Sequence, residues 1–287
     1  MKARLIIIIS FLAMVIPLKG TCQNSIPFHC EKDSSEIREL IRTLASEKEA
    51  SFNKRVAEAA KSLVGKGADD GLTSDSLYKL RVNVDTFTPM SFVNSCLALG
   101  KASLTPGAAW RSYAEAIRNY SCRKGEDDGF SSLFYHTSDW IGDNVYRGNF
   151  TEMTDRVEGT RNKTWSLDYL TFNNEDIPAL SNPETLDKVR MTEMGFRTHK
   201  IPYLPKQSIT NKEIASDLRD GDIIILISDK ERSDFHTFGV VSIEADGPHL
   251  IHFDRKQGIV VKEPEPLKRY FNLMAKHFSG FRWIRPL

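Results

Sequence analysis

Up to Tyr120 the apolar positions recur every three or four residues, and beyond Gly221 they come in short unbroken runs. The first spacing marks amphipathic helices and the second marks buried strands. Ile37, Leu40, Ile41 and Leu44 form one helical face, and Asp33 with Glu36 three residues on supplies a capping-box start for it. Phe52, Val56, Ala59, Ala60, Leu63 and Val64 form a second, stopped by Gly65-Lys66-Gly67. A third helix starts at Thr88, a good N-cap. Pro89 follows at the first helical position, where a missing N–H costs nothing. Phe92, Val93, Cys96, Leu97 and Leu99 give it an apolar face, and Gly100 is expected to close it. Trp110 to Tyr120 reads as a fourth helix.

From Gly125 to about Lys206 the chain is rich in Asn, Asp, Thr and Gly and has no long periodicity, so short helices and long surface loops are expected. The pattern then turns to strands at 223–227, 237–243, 249–253, 258–261 and 280–284, separated by turn residues at close intervals. That spacing predicts an antiparallel meander. Asp222, at the start of the first run, reads as a turn residue. Helices first and strands later make an α+β chain, with N-terminal helices packed on an antiparallel sheet in one domain.

The extreme N-terminus is different. Lys2 and Arg4 precede a largely apolar run from Leu5 to Leu18, and Gly20-Thr21-Cys22 offers small residues for cleavage ahead of Gln23. This is the layout of a secretory signal over residues 1–22, too short for a comfortable membrane span. An exported protein, periplasmic or outer-membrane associated, is expected. A lipid anchor on Cys22 ranks second, because Lys19 stands where a lipobox wants an aliphatic residue.

The 287 residues hold 39 Lys+Arg against 38 Asp+Glu, and 40% are hydrophobic. That balance excludes disorder and a disulfide mini-scaffold. Without the signal's Lys2, Arg4 and Lys19, 36 basic residues face 38 acidic ones, a net −2, which gives nucleic acid no electrostatic reason to bind. Cys30, Cys96 and Cys122 remain, so at most one internal pair can form; Cys96 reads as a core position and Cys122 as part of a polar turn. No CxxC or Cys/His ligand spacing occurs, and no metal or other cofactor is expected.

Several segments taken in order carry a resemblance from about residue 61 onward. They are Phe92-Val93-Asn94, Leu97-Ala98-Leu99, Ser138-Asp139-Trp140-Ile141, Ile201-Pro202-Tyr203-Leu204-Pro205, Asp220-Gly221-Asp222-Ile223-Ile224, His236-Thr237-Phe238-Gly239 and Leu250-Ile251-His252. Their order resembles the NlpC-type papain-like cell-wall peptidases, and within them the N-acetylmuramoyl-L-alanine amidase-like branch of Bacteroides-type bacteria. The resemblance implies a papain-like domain over residues 67–287, behind a helical N-terminal extension at 23–66. It implies a cysteine nucleophile at the start of the first core helix, where a helix N-terminus stabilises thiolate and a histidine across the cleft activates it. Aligning Phe92 and Val93 with the family motif puts Pro89 at the nucleophile position, and proline has no nucleophile.

No neighbour replaces it convincingly. Cys96 lies about 10 Å further along the helix, Ser91 points about 200° away, and the Thr88 hydroxyl is better used as a cap. By the same resemblance His236 would be the general base and His252 its orienter, while Ser138, Asp139 and Trp140 would line the cleft. Asp254 follows His252 where the family has small residues. A metal held by His236, His252 and Asp254 would be a generic grouping and ranks low. His29, His136, His199, His249 and His277 read as surface or packing residues.

Two functions follow from the resemblance. One is a catalytically degenerate amidase-like protein that binds peptidoglycan fragments or a protein partner. The alternative is a working amidase or peptidoglycan endopeptidase with a non-standard nucleophile.

Overall fold

Phe92, Val93, Cys96, Leu97 and Leu99 leave α3 (Pro89–Ser103) too apolar to lie at a surface, and every residue of it except Ser91 and Lys101 is buried. It is the central helix of a computed structural model that describes residues 31–67, 80, 82–105, 107, 110–228, 237–274 and 276–287. The expected signal segment with Cys22, Cys30, and His236 all lie outside the described residues.

Helices α1 (Glu31–Ser46), α2 (Phe52–Ser62), α4 (Trp110–Ser121) and α5 (Thr137–Tyr146) share one apolar cluster with α3. Ile37, Ile41, Val56, Ala60 and Leu63 belong to it, so from residue 31 the expected N-terminal extension supplies walls of the core. Arg55, 4% exposed, donates to the carbonyls of Leu44, Glu47 and Ala50 and closes the end of α1 onto α2.

Three local expectations need correction. Asp33 and Glu36 lie inside α1, which has begun by Glu31, because a first helical turn has no obligatory apolar position to announce it. Gly100 does not close α3. A Cβ there would sit 2.9 Å from Val56 Cγ2, so the glycine permits close α2–α3 packing and the helix runs on to Ser103. Cys122 is 0% exposed, because its backbone bridges to Leu133 and tucks the turn inward. Burial pushes its thiol up to about 12, and both Cys96 and Cys122 are free.

β4 (Ile223–Ser228), β5 (Thr237–Glu244), β6 (Gly247–Asp254) and β7 (Ile259–Lys262) form the expected meander. β8 (Phe278–Pro286) returns to the far side of β4 instead of extending β7. The middle of the chain adds β1 (Phe150–Glu152), β2 (Arg161–Trp165) and β3 (His199–Pro205) beyond it. The order is β2-β3-β8-β4-β5-β6-β7 with β1 also on β8, and every pairing is antiparallel.

Ile223, Ile225, Phe238, Val240 and Ile251 meet the α1–α5 layer on one face of this sheet. Ile224, Leu226, Val241, Leu250 and Trp283 meet α8 (Lys212–Asp217) and α9 (Leu267–Leu273) on the other. Cover on both faces is why β4 reads as an unbroken apolar run.

Asp222 is not a solvent-facing turn residue. It is 0% exposed and accepts hydrogen bonds from Trp283 Nε1 at 2.8 Å and from Arg285 through both carboxylate oxygens at 2.9 Å. Gly221 before it has φ +80°, and a Cβ would fall 2.1 Å from the Asn53 carbonyl oxygen, so only glycine fits where this turn meets α2.

The remaining middle segment carries α6 (Tyr169–Phe172) and α7 (Pro183–Met194). Asn182 caps α7 by accepting from Glu184 N and Thr185 N. Phe130, Leu170, Ile177, Leu180 and Val189 give this unit a small core of its own. Among the described residues no helix is long and apolar enough to cross a membrane.

Candidate functional site

The first turn of α3 is built by its own sequence. Thr88 Oγ1 accepts from Ser91 N at 3.2 Å, while Ser91 Oγ accepts from Thr88 N at 2.8 Å, a reciprocal capping box around Pro89 at the first helical position. Ser91 Oγ also donates to the Thr88 carbonyl at 3.2 Å. Both hydroxyls nearest Pro89 are therefore spent on backbone groups. Cys96, two turns on, is 0% exposed, and burial raises its thiol well above the usual range.

A cavity of about 250 Å³ opens over this turn. Thr88, Pro89 and Ser91 line it together with Asn83, Asn94, Ser121, Phe134, Tyr135 and Arg255. Asn94 is fixed within the wall: its Nδ2 donates to Ser121 Oγ at 3.0 Å, and its Oδ1 accepts from Trp140 Nε1 at 3.0 Å. The lining mixes hydroxyl and amide groups with aromatic and aliphatic side chains, and Arg255 is its single formally charged member among the described residues. Such a mixture suits a ligand with both hydrogen-bonding and apolar parts.

Ser138, Asp139 and Trp140 are not in that lining. Trp140 is 0% exposed and packs on Phe150 and Phe238, with ring centroids at 4.6 and 5.0 Å; it reaches the cavity only through Asn94. Asp139 pairs with Arg123, whose guanidinium lies 5.5 Å from the Phe134 ring centroid and so braces another cavity wall. Burial raises the Asp139 carboxyl above its usual range despite that partner. Ser138 accepts from Arg282, which holds Glu152 of β1 through two 2.8 Å bonds. Trp140 and Asp139 thus act on the cavity wall through Asn94 and Arg123, while Ser138 belongs to the Arg282–Glu152 network.

His252 stands apart from Pro89. It pairs with Gly239 across β5 and β6 and shares the sheet face of Leu250, toward α9, whereas α3 packs on the face of Ile251. Its Nε2 donates to Glu263 Oε1 at 2.6 Å, and its ring lies 6.2 Å from that of Tyr270. The other ring nitrogen, Nδ1, is buried with no hydrogen-bond partner among the described residues. Asp254 belongs to the turn after β6 and accepts from Lys256 N, Gln257 N and Gln257 Nε2. Burial pushes its carboxyl up, but these donors outweigh it and hold the group below its usual range. Among the described residues no three His, Cys, Asp or Glu side chains converge as metal ligands.

Sequence reasoning missed the partners of two histidines. His136, taken as surface or packing, is 3% exposed and donates from Nε2 to Glu193 Oε1 at 2.9 Å. Glu193 also accepts from Leu170 N, Thr171 N and Thr171 Oγ1, so one carboxylate ties α5, α6 and α7 together. His249 is 4% exposed and bonded to Asp246 and the Glu263 carbonyl. Glu193 lies 57 residues from His136, a separation at which no local pattern signals pairing.

Comparison with known proteins adds a family and a fold. The AmiA-like, N-acetylmuramoyl-L-alanine amidase-like family model matches residues 60–277. A crystal structure of an N-acetylmuramoyl-L-alanine amidase from Bacteroides uniformis superposes with a TM-score of 0.68 at 22% identity, covering 83% of this chain and 100% of that one. A Bacteroides fragilis protein provisionally assigned as a xylanase gives a TM-score of 0.68 at 24% identity, covering 79% and 99%. A Legionella pneumophila protein of family DUF1460 gives 0.68 at 17% identity, covering 90% and 95%. At these identities the likenesses establish the fold alone. Comparison with curated proteins gives no match.

Proposed function

The chain belongs to the N-acetylmuramoyl-L-alanine amidase-like family, and from that premise we propose that it is an exported cell-wall protein that binds peptidoglycan fragments without cleaving them. The observation that carries this reading is the first turn of α3. A cavity is kept over it, yet the nucleophile position implied by the NlpC-type papain-like plan is Pro89, and the flanking Thr88 and Ser91 hydroxyls are consumed by the capping box. A serine or threonine nucleophile needs a base that takes its proton. Among the described residues the acceptors these hydroxyls reach are the Thr88 carbonyl and the other hydroxyl. The proline fits its position at no backbone cost, so loss of a cysteine there leaves the helix intact.

The signal-like segment 1–22 supports export to the periplasm or the outer membrane, with lipidation at Cys22 as the second-ranked route. A working amidase or endopeptidase with a non-standard nucleophile is the second reading. It is favoured by the His252–Glu263 pair, in which a buried Nδ1 with no partner among the described residues has the form of a retained relay group.

Incubating the protein with peptidoglycan and analysing the soluble fraction by mass spectrometry separates the two. No fragment should be released, while muropeptides should bind in calorimetry. Release of fragments that is abolished by His236→Ala or His252→Ala would overturn the binding reading.

A further inference from the structure

The two ends of the sheet are finished differently. At one end β7 is closed: Gly65 N donates to the Val260 carbonyl at 2.8 Å, and Val260 N donates to the Lys66 carbonyl at 2.7 Å. At the other end β2 has β3 on one side only. Pro202 decides which backbone groups of β2 face outward. It stands opposite Asn162 and has no N–H, so the bonds to β3 run through Arg161–Tyr203, Lys163–Ile201 and Trp165–His199. The N–H and C=O groups of Asn162 and Thr164 therefore point away from β3. Both residues are exposed, and these four backbone groups have no hydrogen-bond partner among the described residues.

The ribbon that offers this edge is basic. No Asp or Glu occurs over residues 159–167 or 194–205, and those stretches carry Arg161, Lys163, Arg197 and Lys200. Arg161, Arg197 and Lys200 are exposed and make no ion pair among the described residues. Lys163 is held beside the edge, with its Nζ 4.0 Å from the Trp165 ring centroid and donating to Ser279 Oγ at 3.2 Å. Basic side chains guard an open edge against a second copy of the same chain, because two such ribbons set side by side repel. They attract an acidic strand for the same reason.

We propose that β2 receives an extended acidic segment of a partner protein by strand addition. The main chain of that segment bonds to the N–H and C=O groups of Asn162 and Thr164, and its carboxylates meet Arg161, Lys163 and Lys200. The backbone bonds supply register, and the charges select the partner and exclude self-pairing. This edge is separate from the cavity over α3, to which neither β2 nor β3 contributes a lining residue among those described. It therefore stands or falls independently of fragment binding.

Fluorescence anisotropy with two labelled probes tests it: a short peptide of alternating Glu and Thr, and its counterpart of alternating Lys and Thr. The acidic peptide should bind and the basic one should not. Thr164→Pro removes an outward N–H while keeping every charge and every bond to β3, and should weaken the acidic peptide about tenfold at an unchanged melting temperature. The double variant Arg161→Glu/Lys200→Glu should reverse the preference between the probes. Hydrogen exchange on the native protein gives a readout that needs no variant: the Asn162 and Thr164 amides should slow when the acidic peptide is added. Failure of the acidic peptide to bind, or binding that leaves those two amides unprotected, would overturn the proposal. Native affinity in a folded Thr164→Pro variant would reduce the edge to a patch of charge and overturn strand addition.

Discussion

Two buried histidines, each paired with a glutamate, are built to different standards. Glu193 takes His136, two backbone N–H groups and the Thr171 hydroxyl, so it joins three helices and leaves none of its capacity to chance. Glu263 gives a side-chain oxygen to His252 alone among the hydrogen bonds described for its carboxylate, and the far nitrogen of that imidazole is buried with no hydrogen-bond partner among the described residues. A fully satisfied polar network is what structural service requires, and a buried unsatisfied atom calls for another explanation. The first pair holds the fold. The second is the one to question about function.

The comparison is broken most forcefully at Glu193. Glu193→Ala leaves the His136 ring and two backbone N–H groups buried without their acceptor, and should cost about 3–5 kcal/mol in urea unfolding. A loss below about 1 kcal/mol would show that the network is dispensable. The same carboxylate sets an acid dependence. Burial raises the Glu193 pKa, but hydrogen bonds from His136 and Thr171 outweigh it and the net shift is downward. A carboxyl lowered in the folded state contributes fully above its unfolded value and loses that contribution as pH falls through the folded one. The stability gap between the native protein and Glu193→Gln should therefore be constant near neutrality and shrink below the ordinary glutamate value of 4.5. A gap that widened on acidification would reverse the sign assigned to this group.

His252→Phe should have the smallest effect on stability, within about 1 kcal/mol, because among the described residues the ring makes a single hydrogen bond, to a partly exposed glutamate, and its other nitrogen makes none. His136→Phe, made in parallel, should cost several times more. Similar losses at both positions would erase the distinction between the pairs.

The sequence made legible what depends on neighbours along the chain. Thr88 and Pro89 announced the start of α3, and the apolar runs announced β4 to β8, because caps and burial on both faces leave a mark within a few residues. β2 left none: Arg161 to Trp165 are exposed or half-buried throughout and begin with four polar residues in succession, so their pairing with β3 has no apolar signature. The end of α3 was misread because Gly100 answers to Val56 on another helix, not to its own chain. The site divides in the same way. Thr88, Pro89 and Ser91 were readable from one motif. Asn94, Tyr135 and Arg255 join them only through folding, and Trp140 was misplaced because its indole is committed to Asn94 and Tyr120 in the core.

The position of β8 bears on how the molecule comes to exist. It lies between β4 on one edge and β1 and β3 on the other, yet it is synthesised after all three. Until it emerges, the meander and the β2–β3 ribbon have no strand in common, and each keeps an open edge. Contacts this distant in sequence close slowly. A nascent chain therefore reaches the end of translation with its sheet in two unjoined pieces, and only the final strand locks them together.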